Sequence, residues 1–171
     1  NAGDTETDIV TASGEDERSN VITGKDDAIV TINNVISSIE VLKTANPTSV
    51  LEPGDDVTFA VEVTNKSVSS DPVTIYSLTD SIHGDLNGKG DCSVPQTLAG
   101  DGGTYSCSFT APVKGNSGYS ETDVVTASGT DDEGSPVSAS DSASVSVNDV
   151  PSNIELIKTA NPISVEEPGG S

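Results

Sequence analysis

The chain has 171 residues, and its 28 acidic and 7 basic side chains give a net charge of −21 at neutral pH. This charge excludes nucleic-acid binding, which needs cations against phosphates, and it opposes attraction to an anionic membrane surface. No apolar stretch approaches the ~20 residues of a spanning helix, so we expect no membrane insertion in this segment. Hydrophobic residues make up only 32% of the chain, but Val, Ile and Ala recur in alternating runs typical of half-buried strands.

The alternation predicts a series of short strands and no helix. It is clearest where Val57, Phe59, Val61 and Val63 alternate with polar or small residues. The predicted strands lie at 39–44, 49–51, 57–64, 73–78, 104–110, 123–129 and 137–147. Because turn signals separate them every ~8–15 residues, we predict an all-β fold, an antiparallel sandwich of immunoglobulin-like type.

An internal repeat organises the chain. Residues 38–55 match residues 153–170 at an offset of 115, and the same offset aligns 56 positions with 29 identities and no gap. Such self-similarity is the signature of a tandem array. The repeat predicts the C-terminal part of a preceding domain at 1–36, a complete domain at 37–151, and the N-terminal part of a following domain at 152–171. The sequence thus begins and ends in mid-domain, either as a window of a longer array or as pieces that complete neighbouring chains by strand addition.

The repeat also carries a family resemblance. Its first part reads IEVLKTANPTSVLEPGDDVTFAVEVTN and its last part ETDVVTASGTDDEGSPVSASDSASVSV. This pattern resembles the tandem immunoglobulin-like repeats of large bacterial and archaeal surface proteins, relatives of domain-of-unknown-function family eleven. The resemblance implies an extracellular or cell-surface location and a role in stalks, spacers or adhesive parts.

Two cysteines, Cys92 and Cys107, both fall in the complete repeat. We predict an intradomain disulfide in an oxidising compartment, closing a loop for which chain entropy gives roughly 3 kcal/mol. Free thiols are one alternative. A zinc site with His83 is another, although it lacks a second Cys or His pair.

Catalysis finds little support in the sequence. His83 is the only histidine, it lies beside a flexible loop, and no G-x-S-x-G elbow is present. We therefore predict that His83 is a solvated loop residue. Acidic pairs arise by chance in so acidic a chain, and the aromatic platforms of a glycosidase cleft are missing, so we expect no enzyme.

Calcium is the only ligand with a physical argument, because hard cations prefer six to eight oxygen ligands. One candidate loop runs from Asp85 through Asn87 to Asp91 and resembles the start of a calcium loop. Lys89 stands where another acid is wanted, however, and no Glu follows at the twelfth position. An ordinary polar loop is the alternative.

A second candidate calcium site contains Asp131, Asp132 and Asp141. The repeat offset places Asp16 and Asp26 at positions equivalent to Asp131 and Asp141. Asp141 shares the apolar parity of its strand and would need a partner if buried. The alternative is a solvated acidic hairpin end. No cofactor is required, and calcium is the one we consider.

These observations favour a structural, non-enzymatic protein that forms a stalk, a fibre or filament, or a surface layer from end-to-end domains. Its main partner would be itself, through neighbouring repeats or further copies. The alternative from another class is an adhesin repeat that binds a sugar or protein through exposed loops. A weaker alternative is an accessory module of a secreted hydrolase.

Overall fold

A computed structural model describes residues 3–169, which form eleven strands and no helix. None of these residues therefore belongs to a helix long and apolar enough to cross a membrane. The strands are β1 (Thr5–Glu15), β2 (Val21–Thr31), β3 (Ile39–Asn46), β4 (Ser49–Leu51), β5 (Gly54–Asn65), β6 (Val73–Asp80), β7 (Gly84–Asp85), β8 (Gln96–Leu98), β9 (Thr104–Lys114), β10 (Ser120–Asp131) and β11 (Pro136–Asn148). The all-β prediction is confirmed.

Strands β3 to β11 build two sheets that share one core. One sheet has the order β3-β5-β9, and the other has the order β4-β11-β10-β6-β7 with β8 also paired to β6. Every pairing is antiparallel except that of β4 with β11. Buried residues of both sheets form a single cluster, so the sheets pack face to face as in a sandwich.

The core is small and rich in valine. In β5 the inward side chains of Val57, Phe59, Val61 and Val63 are all buried, as the alternation predicts. Phe59 lies opposite Phe109 of β9, and the two rings stack with centroids 5.4 Å apart. The core around this pair contains no tryptophan or methionine.

The predicted disulfide is present. Cys92 lies in the loop before β8 and bonds to Cys107 of β9, and both are buried. Cys107 therefore points inward, as its parity in the strand predicts. Because both cysteines are bonded to each other, neither of the alternatives, free thiols or a zinc site, describes this structure.

The N-terminal part of the chain forms a hairpin without further sheet partners. Strands β1 and β2 pair only with each other, and all their residues are exposed. Residues 153–169 form no strand and are also exposed. The remaining two residues at each end, which include part of the predicted segments 1–36 and 152–171, lie outside the described residues. The domain boundaries stay a prediction.

Candidate functional site

Three ionisable side chains occupy inward positions of the sandwich. Lys43 shares the inward parity of Val41 on β3, and Asp123 shares that of Val125 on β10. Asp80 ends β6 and is also buried. Charged residues are almost never fully buried unless they are paired, so this grouping marks a site.

The three side chains meet in the centre of the molecule. The Nζ atom of Lys43 lies 2.5 Å from Oδ2 of Asp80 and is in close contact with Oδ1 of Asp123. The side chains of Lys43 and Asp80 have no exposed surface, and that of Asp123 is 1% exposed. We call Lys43, Asp80 and Asp123 the buried ionic cluster.

The strand pairing explains why the two acids are neighbours. Asp80 lies directly opposite Val125, two residues along β10 from Asp123 and on the same face of the sheet. Such diagonal neighbours are within reach of each other's side chains. Lys43 comes from the other sheet, and its long side chain extends into the ~10 Å space between the layers to meet the two acids.

Backbone groups hold the cluster in place. Oδ1 of Asp80 accepts hydrogen bonds from the N–H groups of Ile82 and His83, at 2.9 and 2.8 Å. The backbone N–H of Lys43, on the edge strand β3, donates to Oδ2 of Asp141 at 2.8 Å. Asp141 thus has the partner that its half-buried position requires, and it fixes β3 against β11.

His83 contradicts the prediction of a solvated loop histidine. Its side chain is only 14% exposed, and Nε2 lies 3.3 Å from Oδ2 of Asp123. That distance allows an ion pair when His83 is protonated, but the two atoms lack hydrogen-bond geometry. The ring packs 5.5 Å from Phe59 and 5.3 Å from Phe109. The prediction was wrong because the turn after β6 folds the imidazole onto the aromatic pair.

The aromatic pair also forms the wall beside the lysine. Nζ of Lys43 lies 4.8 Å from the ring centroid of Phe59 and 5.9 Å from that of Phe109. Both distances are within the range of cation–π attraction. These rings and the imidazole therefore lie directly against the buried ionic cluster.

Burial and hydrogen bonding shift the acidity of this cluster. Burial lowers the pKa of Lys43 below its ordinary value, although the hydrogen bond and charge of Asp80 act in the opposite direction. Burial alone would raise the pKa of Asp80. The hydrogen bonds from Lys43 and the His83 and Ile82 N–H groups outweigh that effect, and the pKa of Asp80 lies below its usual value. A lysine with a lowered pKa yields the neutral, nucleophilic amine more readily.

A metal ion is a poorer interpretation of this cluster than the lysine itself. Ligand atoms of Asp80, His83 and Asp123 lie within 4.8 Å of one another, which is close enough for a shared cation. The ammonium group of Lys43 already stands between the two carboxylates and supplies the positive charge there. The arrangement is therefore suited to proton transfer and to chemistry between the lysine and a carboxyl group.

The residues predicted for calcium at the β10–β11 end are not brought together as one site. Asp141 lies opposite Val125, six residues along β10 from Asp131, which is about 20 Å of strand. Asp131 instead lies near Asp71 and Glu133. The Ser37 hydroxyl donates to Asp131 at 2.9 Å and also contacts Asp71. Asp132 is exposed beside this group.

In the other calcium candidate, the side chains of Asp85, Asn87 and Asp91 form hydrogen bonds that stabilise their own loop. Oδ1 of Asp85 accepts the N–H of Asn87 at 3.0 Å, and Oδ1 of Asn87 accepts the N–H of Val94 at 3.1 Å. Asp91 accepts the N–H of Ser108 at 2.5 Å and so ties the loop to β9. Each predicted ligand thus accepts a hydrogen bond from a backbone N–H group, as expected for the ordinary polar loop.

Sequence reasoning missed Lys43, Asp80 and Asp123 as a site, although a signal was present. Lys43 falls on the apolar parity of its strand, as Asp123 does on its own. Parity alone indicates burial. It does not indicate which charges meet, because Lys43 and Asp123 are 80 residues apart.

No protein-family model matches this chain, and no curated protein is significantly similar to it.

Proposed function

We propose that the protein is a structural, extracellular tandem-repeat protein in which immunoglobulin-like domains join end to end as a stalk, fibre or surface layer. The observation that carries this proposal is the contrast between equivalent positions of the repeat. Val10 and Val30 on the hairpin β1–β2 are 67% and 65% exposed, whereas their equivalents Val125 and Val145 are 0% and 1% exposed.

Exposed apolar side chains of this kind belong inside a sandwich. Isolated two-stranded hairpins are marginally stable, and large exposed apolar patches mark surfaces that another element covers. The exposed apolar residues of the C-terminal segment support the same argument, since Leu156 is 88% exposed and its equivalent Val41 is 7% exposed. Both segments therefore fit domains that further repeats, or further copies of the chain, would complete.

The junctions of the complete domain favour an end-to-end array with limited bending. At the N-terminal junction the Ser37 hydroxyl bonds to Asp71 and Asp131. At the C-terminal junction Glu52 accepts the N–H of Val150 at 3.4 Å, and its own N–H donates to the carbonyl of Asn148. Short connections fixed in this way transmit orientation from one domain to the next.

A structural rather than an enzymatic role also agrees with the placement of the ionisable groups. Lys43, Asp80 and Asp123 are enclosed in the core, so no external substrate reaches them. The disulfide between Cys92 and Cys107 favours an oxidising, extracellular location. The main partner in this proposal is the protein itself, and no cofactor is needed for it.

Electron microscopy of a protein with three copies of residues 37–151 in tandem tests this proposal. Strand β11 has 13 residues, which corresponds to about 43 Å of length. We expect straight particles whose length is about three times that value. A control with two glycines inserted at each junction should bend more. Flexible beads without a preferred orientation in the parent protein would contradict the proposal.

A further inference from the structure

We propose that Lys43 and Asp123 form an intramolecular isopeptide bond, and that Asp80 is the catalytic residue that moves the protons. The bond would join the first strand of the complete domain, β3, to its penultimate strand, β10. It is a modification made by the folded chain on itself and does not depend on the stalk proposal.

Proximity in a closed site favours the bond. Nζ of Lys43 is held in close contact with the carboxyl group of Asp123, and both are shut off from water. Two groups held in this way react intramolecularly, at an effective concentration far above any that separate molecules reach in solution. Because the site is dry, water neither competes with the amine nor readily hydrolyses the product.

The charges of the site also favour the bond. Two carboxylates face one ammonium group in the core, and buried charges are costly to remove from water even when they are paired. Among residues 3–169 no hydrogen-bond donor satisfies Oδ2 of Asp123. Condensation replaces a buried ammonium and a buried carboxylate by a neutral amide, and one carboxylate oxygen leaves as water. The remaining carboxylate of Asp80 can then accept the N–H of the new amide.

The chemistry balances without any further reactant. Asp80 takes a proton from the Lys43 ammonium group and passes it to the carboxylate of Asp123. The neutral amine then attacks Cγ of the resulting carboxylic acid, and the N–C bond forms. Asp80 carries a second proton from nitrogen to the hydroxyl group, the C–O bond breaks, and water leaves. One proton stays on the amide nitrogen, and Asp80 ends as the carboxylate it was at the start.

Each element of the site has a role in this reaction. Asp80 is fixed by two backbone N–H groups and lies 2.5 Å from Nζ, so it can exchange protons with the amine. Burial beside Phe59 and Phe109 lowers the pKa of Lys43 and makes the amine available. Asp141 is a positioning residue, because it holds the backbone of Lys43 over the acids.

The partial repeats contain equivalents of the two reacting residues, but they do not reproduce the buried site. Lys158 and Asp8 are the repeat equivalents of Lys43 and Asp123, but both lie on exposed segments. Among the described residues neither is buried next to a second acid as Lys43 and Asp123 are. One chain should therefore form one bond and not two.

The test is the intact mass of the purified 171-residue chain, measured under denaturing conditions after reduction and alkylation of the cysteines. We expect a mass below the sequence value by about 18 Da, one water. Fragmentation of a protease digest should give a branched peptide that joins Lys43 to Asp123. A folded chain with its full sequence mass would overturn the proposal.

Substitutions of Asp123 and Lys43 test whether these two residues form the bond. The Asp123→Asn variant should lose about 17 Da relative to its own sequence, because ammonia leaves instead of water. It should thus reach the same final mass as the parent. The Lys43→Arg variant should keep its full mass, and the surface control Lys66→Arg should still lose water. Loss of water from Lys43→Arg would place the change elsewhere, for example at a succinimide of Asp101, which a glycine follows, and would overturn the proposal.

The role of Asp80 is tested separately. The Asp80→Asn variant should fold, as judged by amide dispersion in NMR spectra, but keep its full sequence mass. Complete loss of water in that variant would overturn the assignment of Asp80. If this variant does not fold, the masses of the parent and of Asp123→Asn still decide whether the bond exists, and the branched peptide still shows which residues it joins.

Discussion

The strand pairs β10–β11 and β1–β2 have related sequences and the same register but very different surroundings. Val125 pairs with Asp141 in the first, and Val10 pairs with Asp26 in the second. Val125 is fully buried under the opposite sheet, whereas Val10 is 67% exposed. The comparison shows that hairpin pairing is encoded locally, while burial depends on strands supplied from elsewhere in the repeat.

The largest difference between the complete and the partial repeats is expected at two equivalent lysines, Lys43 and Lys158. Replacement of Lys43 by Met removes the proposed cross-link, which closes a loop of 80 residues, and leaves Asp80 and Asp123 without a cation. Chain entropy alone gives a loss of about 4.5 kcal/mol in the free energy of unfolding. Lys158→Met, on the exposed segment, should change this free energy by less than about 0.5 kcal/mol. Urea unfolding of both variants measures the difference, and equal midpoints would contradict the account.

The disulfide distinguishes the complete repeat in a second way, because neither partial copy contains it. Replacement of both Cys92 and Cys107 by Ala opens a 15-residue loop and should lower the free energy of unfolding by about 3 kcal/mol. Thermal unfolding of the variant and of the parent measures this effect. Iodoacetamide should label the parent only after reduction, and labelling before reduction would show that the disulfide is absent.

A matched pair of core truncations tests burial alone. Val145→Ala in β11 should cost about 2 kcal/mol, since it deletes two methyl groups from a fully buried side chain. Its repeat equivalent Val30→Ala should cost almost nothing, because Val30 is exposed in the hairpin. Denaturant unfolding gives both values. A similar cost at the two positions would mean that the hairpin β1–β2 is buried in solution.

The smallest expected effect concerns calcium, which stays a prediction from the sequence. If calcium binds through Asp131 and the acids near it, the melting temperature should rise by a few degrees over that in chelator at matched ionic strength. The control is Asp131→Asn, in which calcium and chelator should give the same melting temperature. No difference in the parent protein would show that these acids bind no calcium.

The sequence predicted the strands well because each signal was local. Strand β5 follows from four alternating apolar residues, and Cys107 follows from its parity in β9. The buried ionic cluster was not predicted, because Lys43, Asp80 and Asp123 come from three separate strands. The position of Lys43 in its strand indicates an inward side chain. Which acids this side chain meets depends on how the two sheets pack against each other.

The surroundings of His83 and of the acids Asp131 and Asp141 also depend on tertiary structure. His83 was expected in solvent because it lies beside a flexible loop, yet the turn after β6 places its ring against Phe59 and Phe109. Asp131 and Asp141 were grouped because both acids recur at equivalent positions of the preceding partial repeat, as Asp16 and Asp26. In an extended hairpin, residues several positions apart are separated along the strand, and proximity in sequence does not bring them together.

Hydrogen–deuterium exchange of the intact chain tests the central claim most directly, that the complete repeat is a closed domain and the partial repeats are not. We predict strong protection of the amides in β5, β10 and β11, and rapid exchange in β1, β2 and residues 153–169. The equivalent segments β10 and β1 form an internal pair for this measurement. Equal protection of β1 and β10 in the same chain would contradict the account.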